Sequence, residues 1–140
     1  MHTRCSNDLI IITILPHLLS IYYTYINPFY TSIIISSSIS SYLWHRNREP
    51  QNHLLLIDYF FAGLMSFYEV SNIYNCNKDW FYFSIYLNLY VLTFNKIVYL
   101  LALQNIINYS RWHSIYHLLS SGKTLFLAYI SYKSLGYWKF

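Results

Sequence analysis

Five apolar segments separated by short polar stretches make up most of the chain, at about residues 9–26, 28–45, 54–70, 80–107 and 112–132. The first and third segments lack the polar face that a helix on the surface of a soluble protein needs. Asn27 and Pro28 leave room only for a tight hairpin between the first two segments. The polar stretches His45–His53 and Ser71–Asp79 read as loops. The pattern therefore predicts an all-α membrane protein, a single domain over 1–140 with a bundle of about five transmembrane helices.

The composition supports this class. Hydrophobic residues make up 56% of the chain and charged residues only 10%, whereas about a quarter of an average soluble domain is charged. The net charge of +4 is spread along the chain, with no basic run interleaved with aromatic residues. We therefore predict an integral, multi-pass membrane protein with membrane lipids, and not nucleic acid, as partners. The sequence leaves the organelle and the oligomeric state open.

Ionisable side chains within the apolar segments are the candidates for chemistry, because a charge at the centre of a membrane helix costs about 3 kcal/mol on insertion. His113 and His117 open the last segment, His45 closes the second, and Asp58 lies near the start of the third. Residues four apart share one face of a helix. His113 and His117 can therefore bind one ion, and Ser41 and His45 can face one pocket.

The topology decides whether these residues can meet. The second segment ends and the third begins on the same membrane face, so His45 and Asp58 share it. His113 returns to that face only if residues 80–107 cross the membrane an odd number of times. One long, tilted helix rising about 1.5 Å per residue does so. We therefore predict a single helix over residues 80–107.

Three neutral imidazoles with an open fourth position are the ligand set of a catalytic zinc site, where a bound water becomes acidic. We predict zinc as the cofactor and His45, His113 and His117 as its ligands. Asp58 would serve a ligand or the water, and Ser41 would donate a hydrogen bond to a developing oxyanion. The alternative is a chance pair in a chain with six histidines, each histidine anchoring at the lipid headgroups.

The other ionisable residues of the segments receive separate predictions. Glu69 lies about 16 Å from Asp58 by helical rise, which predicts a place at the opposite surface. Lys96 is expected to extend to the interface or to pair within the bundle, and Lys123 to bind a lipid phosphate or a carboxylate. His17 is expected to contact a neighbouring backbone carbonyl.

The order of these residues resembles the superfamily of alkaline ceramidases and progestin and adipoQ receptors. The similar pattern is Ser-x3-His in Ser41 and His45, then Asp58 on the next helix, then His-x3-His in His113 and His117. Members have seven membrane helices and an intramembrane zinc held by three histidines, and several hydrolyse amide bonds of ceramide-like lipids. The resemblance implies the same ligands here, with Asp58 orienting or deprotonating the zinc water and Ser41 assisting the oxyanion. Five helices differ from seven by an even number, so the residues of the motif still lie at the same membrane face.

Three functions follow as hypotheses. The first is an intramembrane, zinc-dependent hydrolase of a lipid amide or ester, with a membrane lipid as substrate. The second is a non-catalytic multi-pass membrane protein with a structural or vestigial site for zinc or lipid. The third is a small channel or transporter that uses Asp58, Glu69 and Lys96.

Overall fold

The computed structural model describes residues 8–47 and 53–135. Of these residues 91% are helical and none forms a strand, which confirms the all-helical prediction. The described residues form five helices, as predicted: α1 Asp8–Thr24, α2 Pro28–Arg46, α3 His53–Cys76, α4 Lys78–Leu103 and α5 Tyr109–Ser134. Most of the predicted polar loop after α2, residues 48–52, lies outside the described residues.

The first helix tightens in its middle and then turns directly into the second. Residues Leu15–Ser20 of α1 are a 3-10 helix, because Pro16 has no N–H to donate and its ring disfavours a regular α-helical turn. Asn27 then begins α2, its side chain accepting a hydrogen bond from the backbone N–H of Tyr30 at 3.1 Å. The predicted tight connection is thus made by residues 25–27.

The third helix is longer than the sequence predicted. It continues to Cys76, through a polar stretch that we expected to be a loop from Ser71 onward. The polar side chains there find partners on α5: Asn72 donates to Ser131 Oγ at 2.8 Å, and beyond the helix end Asn77 donates to Ser134 Oγ at 3.1 Å. These hydrogen bonds favour helical continuation over a solvated loop.

The fourth segment forms one helix, as the topology argument predicts. It begins as the 3-10 turn Lys78–Trp80, continues as Phe81–Leu103 and ends four residues before the predicted residue 107. Asn105 follows with a φ of 57°, the left-handed region that asparagine tolerates better than most residues. Asn108 then caps α5 by accepting from the backbone N–H of Arg111 at 3.0 Å, so α5 starts at Tyr109.

Helix α5 lies at the centre of the bundle, packed against α1, α3 and α4, while α2 packs against α1 and α3. Two apolar clusters hold these helices together, one of Tyr30, Ile33, Ile34, Met65 and Ala128, the other of Ile73, Leu127 and Ile130. The long helices α3 and α4 also pack against each other. A cavity within the bundle is lined by residues of all five helices.

Helices α3 and α4 are long and apolar enough to cross a membrane, each with a mean hydropathy of 1.4 over 18 residues. Only 17% of each of these windows is buried in the protein, whereas a core helix of a soluble protein would be mostly buried. Large side chains such as Phe67 and Tyr82 are 72% and 80% exposed. The apolar surfaces of α3 and α4 therefore face outward.

Candidate metal centre and its cavity

Three histidines from two helices meet inside the bundle. His45 lies in the last turn of α2, and His113 and His117 lie one turn apart near the start of α5. Their ligand nitrogens all lie within 4.8 Å of one another, and the Nε2 atoms of His45 and His117 are 3.1 Å apart. All three side chains are buried. The predicted convergence is confirmed: the group could hold a metal ion.

Local sequence places each of these rings. The cap at Asn108 fixes the first turn of α5, so that His113 and His117 project from one face, as their spacing of four requires. Their rings meet edge to face, with centroids 4.8 Å apart. The ring of His45 lies 5.1 Å from each of the other two centroids. The three imidazoles thus pack around a common point.

His113 gives the strongest argument for a ligand at this centre. Both of its ring nitrogens are buried without a hydrogen-bond partner among the described residues, although the Tyr109 ring stacks on it at a centroid distance of 4.8 Å. A neutral imidazole has one donor and one acceptor, and leaving such a buried group unpaired costs about 1–3 kcal/mol. A metal ion is a partner that the lone pair of His113 could take.

The spacing of the nitrogens agrees with a tetrahedral metal site. Two nitrogens about 2.0–2.1 Å from one zinc ion lie roughly 3.4 Å apart. The 3.1 Å between His45 and His117 is close to this value, and the ligand nitrogens of all three histidines lie within 4.8 Å of one another. Imidazole ligands suit zinc, copper, iron and nickel alike. The three histidines could therefore hold a metal ion, but the ligand set does not identify which metal.

Asp58 lies on α3 beside this centre, buried, with 6% of its surface exposed. Its Oδ1 atom accepts a hydrogen bond from Ser41 Oγ at 2.5 Å and a weaker one from Ser40 Oγ at 3.3 Å, because Ser40 shares its single hydroxyl hydrogen with the backbone carbonyl of Ser37 at 3.0 Å. Ser41, which we predicted to donate a hydrogen bond to an oxyanion, thus donates to the Asp58 carboxylate in this structure. The two serines of α2 hold Asp58 in place.

A cavity of about 1000 Å³ opens onto the centre. His113, His117, Asp58 and Ser41 line one part of it, and apolar side chains such as Val91 form other walls. Ligand pockets in proteins measure about 300–1000 Å³, so this cavity is at the upper end. Its size is therefore that of a ligand site, and its walls are both polar and apolar.

A second buried polar cluster lies further along α5. The ammonium group of Lys123 forms an ion pair with the carboxylate of Glu69 and donates to Asn88 Oδ1 at 2.8 Å. The second carboxylate oxygen of Glu69 accepts from Thr124 Oγ1 at 2.6 Å. The prediction that Glu69 lies at the opposite surface is therefore wrong, since it is buried within the bundle.

The sequence contained a signal for this pair. Glu69 and Lys123 are isolated opposite charges within apolar segments, and such charges usually pair with each other. Lys123 does bind a carboxylate, as expected of it, but that carboxylate is in its own chain.

His17 and Lys96 also line the cavity. The Nδ1 atom of His17 is buried and has no partner within 8–47 and 53–135, so the predicted contact with a backbone carbonyl is not made through that atom. Lys96 is exposed, with its ammonium 5.5 Å from the centroid of the Tyr99 ring.

No known protein family, curated protein or solved structure matches this chain. Its function must therefore be argued from the site, whose geometry and chemistry are more informative than its fold in any case.

Proposed function

We propose that this chain is an integral, multi-pass membrane protein that uses zinc to hydrolyse an amide or ester bond of a membrane lipid. The observation that carries the proposal is the convergence of three buried histidines, two of which, His113 and His117, line a cavity together with Asp58. A buried ligand set, a carboxylate and a space for substrate are the parts that metal-assisted hydrolysis needs.

The outer surface supports a place in the membrane. Helix α3 has 24 residues and is therefore about 36 Å long, enough to span a hydrocarbon core of about 30 Å. Its exposed side chains, and those of α4, are largely apolar and aromatic. Exposing such apolar surfaces to lipid does not carry the free-energy cost of exposing them to water.

Zinc held by three imidazoles activates water and polarises a carbonyl group. The residues of the chain supply the rest. Asp58 is placed to accept a proton, and the hydrogen bonds from Ser41 and Ser40 fix the position of its carboxylate. The apolar walls of the cavity would hold the lipid chain and keep bulk water away.

The resemblance to the superfamily of alkaline ceramidases and progestin and adipoQ receptors supports a lipid amide as substrate. Its pattern comprises Ser41, His45, Asp58, His113 and His117. These five residues come from α2, α3 and α5, yet they lie together at one part of the bundle. If the pattern in the sequence arose by chance, there would be no reason for these five residues to lie together.

Turnover by the purified protein in lipid nanodiscs tests the proposal. A fluorogenic ceramide-type amide and the ester of matched chain length would be the substrates. We expect the protein to hydrolyse at least one of these substrates, to lose this activity with a chelator and to regain it with zinc.

Asp58→Asn should lower turnover by about 10²–10⁴-fold, the usual contribution of a general base, while zinc stays bound. Asp79→Asn is the matched control, because Asp79 is exposed at the start of α4. Turnover that neither chelation nor Asp58→Asn lowers would refute the proposal.

One observation favours a non-catalytic role as the second candidate. Two serines already donate to Asp58 Oδ1, as they would if the carboxylate only tied α2 to α3. A protein that binds zinc stoichiometrically and hydrolyses neither substrate would belong to this class. The transport hypothesis is weakened, since Lys123 neutralises Glu69.

A further inference from the structure

We propose that the part of the cavity formed by His17, Asn88 and Lys123 is a second binding subsite, which recognises a hydroxyl group partway along a lipid chain. The inference shares with the proposed function only the assumption that the cavity takes lipid. It requires neither metal nor turnover.

The subsite lies within reach of a ligand that occupies the histidine centre. Lys123 is six residues beyond His117 on α5, about 9 Å by helical rise, and both line the same cavity. His17 comes to this place because the 3-10 turn Leu15–Ser20 packs against α5. One extended chain can therefore touch both sites.

Hydrogen-bonding capacity is left over at this end of the cavity. His17 Nδ1 is buried with no partner among the described residues, in a side chain only 6% exposed. Lys123 has three N–H groups and gives two of them, to Glu69 and to Asn88. Because a buried polar group without a partner is unfavourable, a ligand that satisfies His17 gains affinity.

The charges at the subsite select the kind of group. Glu69 neutralises Lys123, so a phosphate or carboxylate would lie beside another carboxylate with no positive charge in excess. A cation would be repelled by the ammonium of Lys123 and would find Glu69 already paired. The favoured ligand group is therefore neutral and polar.

A hydroxyl fits better than a carbonyl. A hydroxyl can accept a hydrogen bond from the remaining N–H of Lys123 and can donate to or accept from His17 Nδ1, whichever tautomer the imidazole adopts, whereas a carbonyl only accepts. The Glu69 carboxylate is paired by Lys123 and Thr124 without His17. His17 thus has no role in that network, and its unpaired nitrogen points to a ligand.

A matched pair of photoreactive lipid amides tests the subsite. The two probes share headgroup, chain length and photoreactive group, and one carries a hydroxyl about 9 Å from the amide, the rise between the two sites. Photocapture would be measured in phosphatidylcholine vesicles, with zinc and again after chelation. The wild-type protein should capture the hydroxylated probe about 5-fold better, as expected for one net hydrogen bond of about 1 kcal/mol, with and without metal.

Two variants and one control decide the origin of that preference. His17→Phe should abolish it, and so should the double variant Glu69→Leu with Lys123→Met, which removes the ion pair as a unit. Lys133→Met should keep it, because Lys133 is exposed near the end of α5. Equal capture of both probes by the wild type, capture of neither, or a preference that survives His17→Phe would overturn the proposal. Since capture is scored without metal, failure of zinc hydrolysis would leave a positive result intact.

Discussion

Helix α5 carries two buried polar clusters about 9 Å apart by helical rise, and they differ in how completely their hydrogen bonds are made. Around Lys123, the ammonium, the Glu69 carboxylate, Asn88 and Thr124 are bonded to one another. Around His113, both ring nitrogens have no partner among the described residues. Burial alone therefore does not identify a functional site. Groups that pair with one another, as Glu69 and Lys123 do, hold helices together, whereas the buried nitrogens of His113 and His17, which have no partner among the described residues, are suited to an external ligand.

The largest effect is expected from breaking the ion pair between Glu69 and Lys123. Glu69→Leu leaves the Lys123 ammonium buried without its counter-charge, which should lower the free energy of unfolding by about 3–5 kcal/mol. Chemical unfolding in detergent, followed by circular dichroism, measures it. Adding Lys123→Met should recover most of the loss, because an apolar pair can replace a buried ion pair at little cost. Unchanged stability in Glu69→Leu would show that the ion pair is not formed.

The second-largest effect concerns the serines that donate to Asp58, beside the three histidines. Ser41→Ala removes the shorter hydrogen bond to Asp58 and should reduce lipid hydrolysis by about 10-fold or more, the equivalent of a charge-assisted hydrogen bond of about 1.5–3 kcal/mol. Ser40→Ala removes the longer one, at 3.3 Å, and should cost less. Initial rates at saturating substrate compare the two. Equal losses would mean that neither serine has a special place at Asp58.

The smallest effect has the opposite sign. His113→Phe replaces two unpaired buried nitrogens by carbon, which should stabilise the metal-free protein by about 1–3 kcal/mol. In the wild type, zinc should also stabilise the folded protein, by about 4 kcal/mol at 1000 times its Kd. Unfolding with and without zinc measures both. If His113→Phe destabilised the metal-free protein as Glu69→Leu does, the two clusters would not differ as the structure indicates.

The sequence predicted the features that depend on spacing along one helix and on the number of crossings. The single helix α4 brings His113 and His117 back to His45, and the spacing of four puts the pair on one face. The bounds of α3 could not be predicted as well. Its polar last turn is held by Ser131 on α5, a contact between residues 59 positions apart in the chain.

The pairing of Glu69 with Lys123 was missed for a similar reason. It depends on how far α3 is displaced along α5 and on how each helix is rotated about its own axis. Hydrophobic patterns set such rotations only loosely in helices that are apolar on most sides. The same freedom explains why His17 could not be assigned to the cavity from the sequence.

The metal content of the purified protein is the most direct test of the central claim, that His45, His113 and His117 hold a metal ion. Elemental analysis by mass spectrometry should find about one zinc per chain, as a three-histidine site binds one ion. His53→Ala, which changes an exposed histidine at the start of α3, should keep that zinc, and His113→Ala should lose it. A wild-type protein without metal after zinc loading, or a zinc content unchanged by His113→Ala, would contradict the account.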